Sequence, residues 1–455
     1  MRWNIDQRRI IRSGVLYAVY EAFTAGFLVV FALSLGASNT IVGILGALPY
    51  VAIVLMEFPG AKLVEYFRRR IIFSVATGLS RLVWLLIILT PYLFREHTLL
   101  FVSGFFFLMR CIEYVSDPAW TSWVADMVPD KVRGIFWGTR NMLVSLAGMI
   151  ATVLAGAYLD LFSEGSHVGF ATLFGTGILM GLGATYVMSK VREPEYRDYD
   201  HHGIREFFKV DGQFRMFCWT IVLFYFGVNI ASPFFTVYML QNLGLSYTYF
   251  VLAGAIATAC RILAQPHFGN VSDRYGDTPV ALICMLGTAL VPLAFIFVTK
   301  EMLWLIIPAQ ILSGVAWAGM DLTIWNLLLD MTSKEKRALQ VAEYNFLTSI
   351  SMVVSPVIGG LIADNVSVFV LSGIPLLFAI ATALRLIPTF LLAKIHETRV
   401  KEKHTFGEVF AQVLTIHPFH GMEHVIKIVA KRVKEEFRHV RIPYPTRRPL
   451  LQPKQ

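Results

Sequence analysis

The sequence predicts an all-α integral membrane protein of twelve transmembrane helices, arranged as two parallel-repeat six-helix bundles, and three observations predict it. Apolar residues gather in runs of about 20, the length that crosses a hydrocarbon core. Positive charge is concentrated in alternate connections between those runs. The second half of the chain repeats the first at a fixed offset.

Of 455 residues, 56% are hydrophobic and 16% are charged, where a soluble domain carries roughly 25% charged residues. A backbone in lipid must satisfy its own hydrogen bonds, so each apolar run is a helix. The runs place spans at 12–35, 41–63, 71–94, 99–125, 136–161, 168–190, 213–240, 247–269, 279–299, 302–330, 339–363 and 366–394. Arg2, Arg8, Arg9 and Arg12 precede a first run too long for the apolar region of a signal peptide, so it reads as a retained span. The four cysteines, Cys111, Cys218, Cys260 and Cys284, all lie inside apolar runs without metal-ligand spacing and read as buried free thiols.

Loops on one side carry Arg68, Arg69 and Arg70, then Lys131 and Arg133, then Lys190 to Lys209, then Arg274, then Lys334, Lys336 and Arg337. The opposite loops offer Arg95 and Lys300. Positive-inside asymmetry therefore expects both termini in the cytoplasm of a multi-pass cell-membrane protein. It also accounts for the net charge of +9 without nucleic acid as a partner. The bilayer and a small solute are the expected partners, with the chain as a monomer.

The polar stretch at 191–212 separates the bundle at 1–190 from the bundle at 213–395, and a basic tail follows at 396–455. A shift of 204 residues superposes Asp117 on Asp321, Asp126 on Asp330, Arg133 on Arg337, Gly156 on Gly360 and Asp160 on Asp364. A shift of 208 superposes Ser38 on Ser246, Thr40 on Thr248 and Glu65 on Asp273. Both halves contain six spans and begin on one side, so the repeat axis runs along the membrane normal.

The run GNVSDRYG, with Gly269, Asp273, Arg274 and Gly276, follows the eighth span; its first-half counterpart keeps Glu65 but has Tyr66 and Arg68 where Arg and Gly would stand. DMVPDKVRG, with Asp126 and Arg133, follows the fourth span, and DMTSKEKR, with Asp330 and Arg337, echoes it. SPVIGG adds a proline-glycine element in the eleventh span. On these motifs, residues 10–395 resemble the major facilitator superfamily. The resemblance implies two six-helix bundles around a central cavity lined mainly by spans one, four, seven and ten, opening alternately to each side. In these motifs Glu65, Asp126, Arg133, Gly269, Asp273, Arg274, Gly276, Asp330 and Arg337 are candidates for a cytoplasmic gate, whose acidic and arginine side chains can pair across the two halves when the inner mouth is closed. The alternative is that they only cap and orient helix ends.

An ionisable group at the bilayer centre costs about 2.5–3.5 kcal/mol, so one that is present should line water or find a partner. Arg110, Glu113 and Asp117 recur at three and four in the fourth span and should share a helical face. Asp117 lies nine residues from Asp126, ~13.5 Å at 1.5 Å per residue, near mid-depth. Trp317, Asp321 and Trp325 form the matching stripe in the tenth span. Asp117 and Asp321 are then expected to face each other across the repeat axis and to bind a proton, a cation or an organic solute. The alternative is that Glu113 and Asp117 only neutralise Arg110 while Trp317 and Trp325 pack. Glu21 has no cation in its own span and reads as a protonatable coupling group. Tyr225 and Asn229 in the seventh span are cavity candidates, and Arg261 in the eighth should meet a carboxylate or an anionic group. Glu57 and Arg81 read as structural.

No P-loop, H-E-x-x-H or other catalytic motif is present, so neither an enzyme, a metal site nor a cofactor is expected. The expectation is a secondary transporter of a small solute, driven by a proton or other ion gradient, by symport or antiport. A receptor or scaffold that binds solute without moving it is the alternative from another class. Exporter and nutrient symporter remain open, although SLAGMIATVLAGA in the fifth span lacks the proline typical of drug–proton antiporters. In the tail, Phe419, Met422, Ile426, Val429, Val433, Phe437 and Val440 recur at three and four, as in an amphipathic helix on a leaflet or a partner.

Overall fold

The computed structural model describes residues 3–129, 133–163, 166–194, 212–332, 337–368, 371–395 and 406–414. Twelve helices among them are long and apolar enough to cross a membrane. They are α1 (Ile5–Ser34), α2 (Asn39–Tyr66), α3 (Arg69–Leu93), α4 (Thr98–Met127), α5 (Ile135–Leu159), α6 (His167–Ser189), α7 (Gly212–Asn242), α8 (Tyr247–Tyr275), α9 (Asp277–Ile296), α10 (Leu303–Met331), α11 (Gln340–Asn365) and α12 (Gly373–Leu392). The one departure from an all-helical chain among the described residues is a two-residue antiparallel pair, β1 (Ser367–Val368) with β2 (Leu371–Ser372), which turns α11 into α12. The amphipathic pattern at 419–440 and the Arg133 and Arg337 side chains lie outside the described residues.

Local chemistry sets the ends. Asn4 and Gln7 form a reciprocal capping box at the start of α1. Ser38 caps α2 through Ile41 N–H and Ser246 caps α8 through Tyr249 N–H, so the repeat reproduces a cap as well as a span. Gly276, at φ +94°, turns α8 into α9, a backbone conformation that side chains resist.

Three spans are broken near mid-length. α1 passes through a 3-10 turn at Ala25–Phe27. α4 breaks between Tyr114 and Asp117, where Pro118 disfavours helical backbone at the residue before it. α7 breaks at Ile230–Ala231, just ahead of Pro233. Consequently Arg110 and Glu113 end one helical segment and Asp117 begins another, instead of sharing one uninterrupted face as the spacing suggests.

Successive spans alternate in direction. One face, here called proximal, carries the start of α1, the α2–α3 turn and the α8–α9 turn; the other is distal. Toward the distal face a single apolar core runs from one half to the other, joining Phe27, Phe31, Phe170 and Phe174 to Ile230, Phe234, Val251 and Phe378. Toward the proximal face the core divides. One part, around Ile10, Trp123 and Phe136, belongs to the first half; the other, around Phe217, Phe268, Leu327 and Leu392, belongs to the second. The helix α13 (Phe406–Leu414) inserts Val409 and Val413 into that second core, and the Gln412 carbonyl lies 3.1 Å from His267 Nε2.

The distal closure uses α2 against α11 and α5 against α8. A Cβ on Gly43 would collide with the Pro356 carbonyl, and one on Gly360 would stand 2.6 Å from the Asn39 carbonyl oxygen. On the other pair, a Cβ on Gly156 would stand 2.9 Å from the Tyr247 carbonyl oxygen. Beside each contact a carboxylate at the end of a helix in one half caps a helix start in the other. Asp160 accepts from Tyr247 N–H at 2.9 Å and Thr248 N–H at 2.8 Å. Asp364 accepts from Asn39 and Thr40 N–H at 3.2 and 2.8 Å, from Asn39 Nδ2 at 2.8 Å and from the Thr40 hydroxyl at 2.6 Å.

Candidate functional site

The first half holds a chain of four charges, buried except at Glu21. Glu21 on α1 meets Arg110 Nη2 at 2.5 Å, Arg110 Nη1 meets Glu113 at 2.7 Å, and Glu113 meets Arg81 Nη1 on α3 at 2.6 Å. Arg81 lies 4.1 Å over the Tyr20 ring, whose hydroxyl accepts from Trp84 Nε1 at 2.8 Å. Two guanidinium groups and two carboxylates balance, which is what allows four ions to be carried at this depth. Glu21 lacks a cation only within its own span; across the bundle, α4 supplies one. Arg81, expected to be structural, ends this chain at Glu113.

Below the chain, toward the proximal face, lies a cavity of about 290 Å³ enclosed by α1, α3, α4, α5 and α6. Its walls include Tyr17, Arg81, Glu113, Asp117, Trp120 and Arg140. Gly14 opens the α1 wall: a Cβ there would stand 3.2 Å from Arg140 Nη2. Arg140 lies 5.0 Å over Trp120 and 5.3 Å over Trp137. Nothing in the sequence pattern singles out Arg140, Tyr17 or Trp120. A lone arginine near the start of an apolar run looks like an interfacial anchor until the neighbouring helices show what it faces.

In the second half, Asp321 on α10 pairs with Arg261 on α8, and these side chains keep 30% and 52% of their accessibility. Thus Arg261 meets a carboxylate, one of the two roles left open for it. Asp117 and Asp321 occupy separate settings, and no hydrogen bond or ion pair among the described residues joins them. Trp317 packs at the edge of the second-half core, 6.4 Å from Phe224, while Trp325 is half exposed. Tyr225 shares a hydrogen bond with Tyr344, and Asn229 Nδ2 donates to the Tyr225 carbonyl at 3.0 Å beside the α7 break. There the fully buried Arg385, also inconspicuous in the sequence, donates to the carbonyls of Gly227 (3.1 Å), Thr288 (2.8 Å) and Val228 (3.4 Å). The cysteines are free, with Cys218 and Cys284 buried and Cys111 and Cys260 partly so.

At the proximal face, Asp126 pairs with Arg69 at 2.6 Å, and Glu193 accepts from Arg69 N–H at 2.7 Å. Arg69 also donates to the Pro194 carbonyl at 3.2 Å and is 1% exposed. The partner of Asp126 thus comes from its own half. Glu65, Asp273, Arg274 and Asp330 are exposed, and Arg274 lies 5.3 Å over Tyr275. Gly269 sits inside α8 with open space where a Cβ would stand. Asp277, next to Gly276, is fully buried and accepts from the Ser272 hydroxyl and from Asn326 Nδ2 at 2.9 Å.

Among solved structures, the chain resembles a mutant form of the nucleoside transporter NupG, with TM-score 0.69 and 12% identity over 87% of this chain and all of that one. It also resembles a bacterial homologue of the iron transporter ferroportin in an inward-facing state, with TM-score 0.68 and 13% identity over 85% and 98%. A D-xylose–proton symporter matches with TM-score 0.67 and 14% identity over 88% and 99%. Such identities speak to the fold alone. In sequence, the class C tetracycline resistance protein of Escherichia coli is 31% identical over 129 residues, 27% of this chain and 32% of that protein. The class H protein of Pasteurella multocida is 26% identical over 117 residues, 26% and 28% of the two chains. The uncharacterized MFS-type transporter YqjV of Bacillus subtilis (strain 168) is 28% identical over 145 residues, 31% and 35% of the two. The chain therefore spans about a third of the length of the curated relatives it matches. The sequence model of the Major Facilitator Superfamily, by contrast, matches residues 13–212 and 217–441, nearly the whole chain, and the protein belongs to that family.

Proposed function

We propose that the protein is a secondary transporter that moves a small solute across the membrane by alternating access, coupled to protons. One observation carries the reading: a continuous apolar core joins the halves distally, while proximally the first-half and second-half cores are separate. Two rigid bundles hinged this way open a passage at one face while the other is shut, and a rocking motion exchanges the faces. The charged groups sit where such a passage would run. Asp117 lines the first-half cavity, while Asp321, paired with Arg261, keeps partial access to solvent. Glu21, tied to Arg110 yet 33% exposed, is the third candidate for carrying a proton.

On the positive-inside rule the arginine-rich loops make the proximal face cytoplasmic, with both termini in the cytoplasm of a cell-membrane protein, and the divided proximal cores then make the conformation inward-open. Arg69, Asp126 and Glu193 then lock the cytoplasmic ends of α3, α4 and α6 into one body. Asp273 and Arg274 stand at the mouth that must close in the opposite state.

The test is solute-evoked proton flux in proteoliposomes holding a trapped pH dye, screened over carboxylates, sugars, nucleosides and organic cations. At least one class should move protons, and Asp321→Asn or Asp117→Asn should lower the initial rate at least tenfold. Saturable binding without flux for every class would make the protein a receptor and end this reading.

A further inference from the structure

We propose that the first-half cavity is a binding site for a small carboxylate that also bears hydroxyl or amino donors, with the Arg140 guanidinium as its anion receptor. The inference deepens the transport reading, on which it rests for treating the cavity as open to solute.

The balance of charge singles out Arg140. Arg81, Arg110, Glu21 and Glu113 neutralise one another in a continuous chain. That leaves one carboxylate and one guanidinium on the cavity wall outside the chain, Asp117 and Arg140. Neither has an opposite charge in ion-pair contact among the described residues. A guanidinium offers five N–H donors in a planar fork. Arg140 uses one hydrogen bond, from Nη1 to Asn141 Oδ1 at 3.2 Å, and its Nε is buried without an acceptor. A buried donor left unsatisfied costs about 1–3 kcal/mol, and an incoming carboxylate supplies acceptors to this fork.

The surroundings set the sign of the ligand. The two indoles that could attract an organic cation, Trp120 and Trp137, already carry Arg140 on their faces and lie edge to face with each other at 5.9 Å. They leave the guanidinium edge as its binding surface and fix its plane, as bidentate recognition of a carboxylate requires. The hydroxyl-bearing residues Tyr17, Ser116, Thr121 and Thr185 form part of the remaining wall, with Asp117 as an acceptor for donors on the ligand. At about 290 Å³ the space falls at the small end of ligand sites, which suits a compact hydroxy or amino acid and excludes bulky solutes.

The full chain in lipid nanodiscs tests this by calorimetric titration with lactate against lactamide and gluconate against gluconamide, pairs alike in shape and different in charge. Each acid should bind at least tenfold more tightly than its amide. Arg140→Gln should weaken acid binding tenfold or more, and Arg140→Lys should fall between, retaining charge without the fork. No saturable binding of either acid, equal binding of acid and amide, or Arg140→Gln with unchanged affinity would each overturn the site. The acid–amide comparison uses the unaltered chain, so it stands even where a variant folds poorly. Acid-selective binding without flux would sink transport and spare this site. Flux of a neutral or cationic solute that ignores Arg140→Gln would spare transport and sink the site.

Discussion

Glu113 is the residue on which the first half depends electrostatically, because each of its oxygens holds a different arginine. Replacing it with Leu would leave Arg81 and Arg110 sharing the single carboxylate of Glu21. Breaking a buried ion pair from one side costs about 3–5 kcal/mol, so Glu113→Leu should unfold well below the parent in a thermal melt. Glu113→Gln, which keeps the shape and hydrogen-bonding capacity, should recover part of the loss. A melting temperature unchanged in both variants would mean that the four charges are not interdependent. Arg385 calls for a second measurement of this kind. Its donors hold the carbonyls released by the α7 break, so Arg385→Met should destabilise by about 1–3 kcal/mol, the cost of orphaned buried acceptors. At this scale the sequence is partly legible. It singles out Glu21, Arg110, Glu113, Asp117, Asp321 and Arg261 because ions in apolar runs are conspicuous. Their partners are hidden, since Arg110 reaches Glu21 across 89 positions and Arg81 reaches Glu113 across 32, distances that helical periodicity does not register.

At the scale of elements, the twelve spans are legible in outline because length and apolarity set them, whereas the breaks in α1, α4 and α7 are not. Pro118 and Pro233 are visible signals in retrospect, but the break in α1 at Thr24–Phe27 has no proline and belongs to packing. The crossing of α2 with α11 is equally hidden, for Gly43 is one small residue among many in its run. Its tight contact with the Pro356 carbonyl makes it a test of the distal closure. Gly43→Leu has no room when the distal face is shut and open space when the halves part, so it should shift the population toward the outward-open form. Labelling a cysteine placed at Asn229 with an impermeant maleimide from the distal side should then rise several-fold in whole membranes, with Cys111, Cys218, Cys260 and Cys284 first replaced. Unchanged labelling would mean that the α2–α11 crossing does not limit opening.

At the scale of the molecule, the repeat is legible without its meaning. The 204-residue offset aligns Asp160 with Asp364, and the 208-residue offset aligns Thr40 with Thr248; the structure shows each aspartate capping the helix whose first turn holds the other half's threonine. The two contacts form a symmetric latch on the distal face, each joining an anion to the positive end of a helix. The Asp160 carboxyl, outside the spans, titrates below its ordinary value. Burial alone would push it upward, but hydrogen bonds from the Thr248 hydroxyl, from Thr248 and Tyr247 N–H and from the Ser246 hydroxyl outweigh burial. A depressed folded-state value means that its contribution is fully present above the ordinary carboxylate value of about 3.9. It is lost only as pH falls through the lowered value. The Asp160 side of the latch is therefore indifferent to pH from neutrality down to about 4, and in the proposed proton-coupled cycle the proton would act elsewhere, with Asp117, Asp321 and Glu21 as the candidates. Removing the charge is a different matter. A cap contributes about 1 kcal/mol over alanine, so Asp160→Ala with Asp364→Ala, which removes the acceptor as well as the charge, should weaken closure by about 2 kcal/mol, and about 1.4 kcal/mol is tenfold in population. Distal labelling at the Asn229 cysteine should rise tenfold or more in the double variant and by less in either single one, at neutral pH and at about pH 5 alike. Equal labelling in parent and double variant would show that apolar packing alone holds the distal face shut, and a rise confined to acid pH would return the proton switch to the latch.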